Sequence, residues 1–230
     1  MLPNFTATEE NYIQNIYHLQ QSRGYVSTNE LAAALKTKPA SITDMLKKLK
    51  TKKLIIYEPY KEFQLSTQGK KMALGIIRKH RLWEFFLVEK LQFGWDEVHE
   101  VAEELEHITS KSLVEKLDAF LDHPRFDPHG DPIPDSNGKM SLVQQVNLIN
   151  VDLNTPAEVT AVSNQSSELL ELLKHKNIHI GTILEVKKKF SFDNSVELKI
   201  KNFPAVTISE QLAKTLFVKQ LTVTSAKDDE

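Results

Sequence analysis

Apolar residues recur at helical spacing through the first ninety positions of the chain, then give way to short alternating runs beyond about residue 155. Thr6 with Glu9, and Ser27 with Glu30, carry the S/T-x-x-E spacing of a capping box, in which a hydroxyl and a carboxylate each satisfy a free amide at a helix start. Two helix starts are thereby marked. The first helix places Tyr12, Ile13, Ile16, Tyr17 and Leu19 on one stripe, and the second does the same with Leu31, Ala32 and Leu35. A third opens at Pro39, a residue suited to a first helical turn, and carries Ile42, Met45, Leu46 and Leu49. Two short β-rich runs, 54–57 and 63–65, follow and read as a hairpin with Tyr60 and Lys61 at its tip.

Helix, helix, turn, helix, hairpin is the winged helix-turn-helix order. From Thr67 a long helix is predicted to about Leu91, then a turn at Phe93, Gly94 and Trp95. Asp96 is the expected cap of a helix over about 97–108, and Ser110 of one ending near Asp122. The stretch 124–137 is dense in Pro, Gly and Asp and suits neither a long helix nor a sheet interior, so a domain boundary is expected there. Beyond it, strands are predicted at 157–162, 182–187, 195–200 and 217–223, with a helix over 166–174; this suits a small β-barrel. The expected fold class is mainly α with small β modules.

Composition first argues against nucleic acid and then reverses. The 230 residues hold 29 Lys and Arg against 31 Asp and Glu, a net charge of −2. Between Lys36 and Lys53, however, stand seven lysines with Asp44 as the one acid, a local charge of +6. The stripe on the third helix leaves Ser41, Thr43, Asp44, Lys47 and Lys48 toward solvent, a polar and cationic face that suits a DNA groove. A solvated lysine-rich face is the plainer alternative. The absence of cysteine excludes disulfides, thiolate metal ligation and a cysteine nucleophile. No apolar run approaches membrane-spanning length, and MLPNFTATEENY lacks the pattern of a signal peptide, so a cytoplasmic protein without membrane contact is expected.

Histidines and carboxylates supply the candidate chemistry. His80 and Glu84 share a face of the long helix; His99, Glu103 and Glu106 share one on the next, with His107 adjacent. Facing one another, these edges would gather three imidazoles and three carboxylates, which cannot be buried without a compensating cation. Oxygen and nitrogen donors suit Mn(II) or Fe(II), although Zn(II) or Cu(II) binds such donors more tightly in vitro. Surface ion pairs are the alternative for each pair taken alone. His18, His123, His129, His175 and His179 lack partner spacing and are expected to be surface or turn residues.

The runs RKHRLWE at 78–84, VHEVAEELEH at 98–107 and DPHGDPIP at 127–134 strongly resemble the diphtheria toxin repressor and manganese transport regulator family of metal-activated repressors. The resemblance covers nearly the whole chain. It implies a winged helix-turn-helix over 1–66, a helical dimerisation and metal-binding domain over 67–140, a linker over 141–154 and an SH3-like, FeoA-type β-barrel over 155–230. It implies a primary site of Glu103, Glu106, His107 and Asn11, and a second site of His80, Glu84 and His99 joined by Gln165 and Glu168. Mn(II) is the expected cofactor, since a carboxylate, Glu103, stands where iron-responsive members have sulfur. Asn11 and Gln14 are neutral where manganese regulators carry Asp and often Glu. Asp127 replaces a frequent Cys in a segment expected to be only a connector.

The resemblance further implies a homodimer on a palindromic operator, with metal fixing the first helix and hence the spacing of two reading helices. Lys38 and Pro39 open the reading helix; Ser41, Thr43 and Asp44 are expected near bases, and Lys38, Lys47, Lys48 and Lys61 near phosphates. No catalysis and no small organic substrate are expected: HExxH is absent, and ELEH at 104–107 does not replace it. The alternatives are an Fe(II)-responsive repressor of the same family and a metal-independent winged-helix regulator.

Overall fold

Both capping boxes form. Thr6 accepts from the Glu9 amide at 3.2 Å while the Glu9 carboxylate accepts from the Thr6 amide at 3.1 Å, and Ser27 and Glu30 do likewise at 3.2 and 2.8 Å. They start α1 (Ala7–Arg23) and α2 (Thr28–Ala34); α1 ends at Gly24, which adopts a left-handed φ of 83°. Pro39 opens α3 (Pro39–Thr51), followed by the antiparallel pair β1 (Ile55–Ile56) and β2 (Gln64–Leu65) and the long α4 (Thr67–Leu91). Then come α5 (Val98–Ile108) and α6 (Lys111–Phe120), the latter capped by Ser110 as expected. The computed structural model describes residues 5–58, 61–108, 110–141, 144–163 and 165–221. Tyr60 lies outside them.

The chain divides into two compact units. The first comprises residues 1–83, 102–124 and 133–140, and the second 84–101, 125–132 and 141–230. In the first, Ile13 and Ile16 of α1 pack with Leu31, Ile42, Leu46, Leu49 and Leu54, all fully buried, and with Phe63 of the hairpin region. Each such side chain contributes roughly 1.5–3 kcal/mol on burial. The α1 helix therefore shares one core with the reading helix α3. Two polar ties reinforce this: buried Gln20 accepts from the Leu65 amide at 2.9 Å, and Lys52 meets the buried Glu9 carboxylate at 2.6 and 2.8 Å.

The second unit is built on a six-stranded antiparallel sheet in the order β3-β8-β4-β5-β6-β7. The strands β4 (Pro156–Val162), β5 (Ile183–Lys189), β6 (Val196–Ile200) and β8 (Leu216–Gln220) fall within a few residues of expectation, as does α7 (Ser167–His175). Short elements were not expected: β3 (Val146–Asn147), β7 (Val206–Ile208) and α8 (Glu210–Thr215). Since β3 pairs with β8, part of the stretch expected as a linker is built into the sheet. The core gathers alternating inward residues such as Val159, Val186, Leu198 and Val218, all fully buried. Asp96 does not open the next helix directly: α5 begins at Val98, and the Asp96 carboxylate meets Lys174 at 3.2 Å. Among the described residues no helix is long and apolar enough to cross a membrane.

Gly130 is required where it stands. Its φ is +87°, and a Cβ there would lie 1.8 Å from the Thr160 carbonyl oxygen and 2.7 Å from Ala161 Cα. Gly75, in contrast, lies within α4, and a Cβ there would meet nothing within 4 Å. Gly130→Ala is expected to lower stability by about 2 kcal/mol or more through backbone strain and clash. Gly75→Ala is expected to raise it by about 0.5–1 kcal/mol. Urea denaturation of both variants checks the opposite signs.

Candidate metal centre

Adjacent residues near the end of α5, Glu106 and His107, meet the first turns of α1 and the middle of α4 within the first unit. Glu106 is fully buried. Its Oε2 lies 2.8 Å from His80 Nδ1, and its Oε1 lies 3.6 Å from His107 Nε2. Asn11 Oδ1, both Glu106 oxygens and His107 Nε2 are buried and hydrogen-bonded to no described residue. The close approach of His80 to Glu106 is thus one of proximity, without the alignment of a hydrogen bond. Leaving a buried carboxylate in that condition is costly, and a cation removes the cost. Amide oxygen, carboxylate and imidazole are the donors that hold Mn(II), Fe(II) or Zn(II), so the residues fit a divalent metal. Glu103, one turn earlier on α5, is exposed. Glu10, an acid in the first turn of α1 with no spacing signal of its own, places its Oε2 2.8 Å from His107 Nδ1 and 3.5 Å from Lys79 Nζ.

The second unit holds another group. Glu84, Asp127 and His129 are all buried, and each offers a ligand atom within 4.8 Å of the others. Glu84 Oε1 is 3.1 Å from His99 Nδ1, and its Oε2 is 3.8 Å from His129 Nδ1. His99 is half exposed; His80 precedes Glu84 by one turn of the continuous helix α4.

The segment expected to be a mere connector therefore carries donors, and His129, expected at the surface, is fully buried. The reason lies in the loop's own hydrogen bonds. Asp127 Oδ1 accepts from the amides of His129 and Asp131 at 2.8 and 2.9 Å, an Asx-type turn that aims the imidazole inward. His129 Nε2 lies 2.7 Å from the Trp95 carbonyl, an acceptor only, so Nε2 carries a proton and Nδ1 faces Glu84. The Trp95 ring stacks on it at 6.0 Å. Of the residues expected from the C-terminal module, Gln165 donates to Asp131 at 3.0 Å and Glu168 is exposed in the first turn of α7.

The reading helix keeps its expected faces, with Ile42, Leu46 and Leu49 inward and Lys38, Pro39, Ser41, Asp44, Lys47 and Lys48 exposed. Four of the expected DNA-contacting side chains are engaged locally. Thr43 donates to the Pro39 carbonyl at 3.1 Å, Asp44 pairs with Lys47 at 3.1 Å, and Lys61 pairs with Glu58 at 2.6 Å. Exposed pairs of this kind contribute little to stability. Lys52 differs, being committed to Glu9.

A winged helix-turn-helix beside a buried imidazole and carboxylate centre defines a metal-responsive DNA-binding protein. Residues 4–63 match the iron dependent repressor N-terminal DNA binding domain, residues 66–135 its metal binding and dimerisation domain, and residues 146–220 the FeoA domain. The regulator MntR of Oceanobacillus iheyensis is 31% identical over 122 residues, 53% of this chain and 82% of that protein. The iron-dependent repressor IdeR of Mycobacterium leprae is 30% identical over 127 residues, and the chain spans only 55% of its length. A solved manganese-dependent transcriptional repressor in complex with manganese superposes with a TM-score of 0.84 at 29% identity, covering 93% of this chain and all of that one. The manganese regulator SloR gives 0.73 at 27%, covering 96% of this chain and all of its own. The chain belongs to the diphtheria toxin repressor and manganese transport regulator family of metal-dependent transcriptional repressors.

Burial opposes the protonated form of His129, but the hydrogen bond and charge of Glu84, the charge of Asp127 and the Trp95 carbonyl outweigh it and raise its pKa. A raised folded-state value gives stabilisation that is full below the ordinary pKa of about 6.5 and is lost as pH rises through the folded value. In chelator, His129→Gln is therefore expected to cost more stability at about pH 6 than at about pH 8.5. Urea denaturation across that window checks it; a pH-independent cost contradicts it.

Proposed function

We propose that this chain is a repressor of metal-homeostasis genes that binds palindromic operator DNA as a homodimer when loaded with Mn(II). The observation that carries the reading is the buried Glu106 carboxylate, hydrogen-bonded to no described residue, with His80 at 2.8 Å and His107 at 3.6 Å. A bound divalent cation supplies the positive charge that this carboxylate lacks. Asn11 comes from α1, while Glu106 and His107 come from α5, so occupancy holds α1 against α5. Because Ile13 and Ile16 of α1 share a core with Ile42, Leu46 and Leu49 of α3, holding α1 also holds the reading helix. In a two-fold dimer this sets the spacing of two reading helices to that of two half-sites. Glu84, Asp127 and His129, with His99 beside Glu84, form a second cation site within the second unit.

On α3, Ser41 and Thr43 face bases, while Lys38, Lys47 and Lys48 face phosphates, with Lys61 reaching the backbone from the hairpin. The activity is binding, without a catalysed reaction, and its place is the cytoplasm. Oxygen and nitrogen donors without sulfur support Mn(II); Fe(II) shares that preference, and it is the second reading. The test is fluorescence anisotropy on DNA selected with the Mn(II)-loaded protein, titrated in parallel with Mn(II), Fe(II), Zn(II) and chelator. Mn(II) is expected to tighten binding by about 5- to 150-fold, and selected DNA should tighten Mn(II) binding by the same factor. Unchanged affinity in chelator would sink the proposal. Lys47→Ala with Lys48→Ala is expected to reduce the slope of log affinity against log salt by about 2.

A further inference from the structure

Glu10 belongs to neither donor group, yet it touches one of their members. Its Oε2 lies 2.8 Å from His107 Nδ1 and 3.5 Å from Lys79 Nζ, with all three side chains about five-sixths buried. A carboxylate accepts and does not donate, so the proton between them sits on Nδ1 and the lone pair of the imidazole is left on Nε2. That atom is buried, without a hydrogen bond, and 3.6 Å from Glu106 Oε1. Lys79, on α4, restrains the carboxylate from its other side. We propose that Glu10 is a positioning residue: it sets the tautomer and direction of His107 so that Nε2 is ready for the cation.

The inference rests on the reading of Asn11, Glu106 and His107 as a cation centre. It gives α1 a second link to that centre, through the proton on His107, and this link carries the charge that the neutral Asn11 amide lacks. Partners of this kind raise ligand basicity and fix ring orientation, and their removal typically weakens metal binding by about 10- to 100-fold.

The test compares the full-length wild type with Glu10→Ala and Glu10→Gln. The readouts are Mn(II) affinity by competition with a fluorescent chelator, the Co(II) visible absorption spectrum, and the melting temperature in chelator. Glu10→Ala is expected to bind Mn(II) about 10- to 100-fold more weakly and to change the Co(II) band shape. Glu10→Gln, which keeps an oxygen acceptor but not the charge, should lose less and serves alone if the alanine variant does not fold. Equal Mn(II) affinity in wild type and variants overturns the inference and leaves the centre standing. So does a lowered melting temperature with unchanged Mn(II) affinity, since that is what a merely structural contact would give. Failure of the wild type to bind Mn(II) overturns the centre and the inference together.

Discussion

The candidate centre of the first unit depends on the burial of one carboxylate, Glu106. Elsewhere this unit satisfies its buried acids completely: Glu9 receives Lys52 and the Thr6 amide, and Asp118 receives Arg78 at 2.9 Å and His123 at 2.6 Å. Glu106 is more deeply buried than either, yet neither of its oxygens is hydrogen-bonded to a described residue, and the His80 imidazole 2.8 Å away is out of alignment. Leaving a buried acceptor unmade costs about 1–3 kcal/mol, more for a charged one. Such a group sits beside the contact that links α1 to α5, the 2.8 Å approach of Glu10 to His107, and leaves an unmet buried acceptor there. A protein that needed only stability would place an apolar residue there.

The second buried group follows the same logic by a different route. Glu84 comes from a regular helix, whereas Asp127 and His129 come from a loop whose shape is set by the Asp127 turn, by Gly130 pressed against β4, and by the His129 carbonyl accepting from the Val162 amide at 3.1 Å. Asp127 uses one oxygen to fold the loop and lies beside His129 as a candidate donor, so fold and site share a single side chain. Oxygen rather than sulfur at this position favours a harder cation.

What the sequence made legible follows from periodicity. Capping boxes and 3.6-residue stripes located α1 to α4 closely, because a long amphipathic helix repeats its signal several times. The edge strands β3 and β7 have only two and three residues, too few for alternation to register. Glu106 and His107 were legible beside Glu103 because they recur on a helix. Asp127 and His129 were not, since a loop has no face on which spacing can be read, and a run of Pro, Gly and Asp looks like a breaker. Glu10 was hidden differently: an acid in the first turns of a helix is already explained by the helix dipole and by solvent. Its role exists only in contact with a residue 97 positions away.

The neutral residues in α1 bear on the working range of the sensor. The resemblance puts Asn11 and Gln14 where manganese regulators carry Asp and often Glu, so a cation held there under the proposed function would meet the buried charge of Glu106 and neutral donors. Fewer anionic ligands weaken the hold on a hard cation, whose affinity rests largely on charge. The neutral residues also add no charge to the buried region of Glu106, where an aspartate at position 11 would bring a second anion to the same centre under the proposed function. Under the proposed function the loaded state would thereby be held less tightly. Because α1 shares its core with α3, that softening passes directly to the reading helix. The expected consequence is a narrower separation between metal-free and metal-loaded affinity for DNA than an aspartate at position 11 would give, with Glu10 acting through His107 supplying part of the difference.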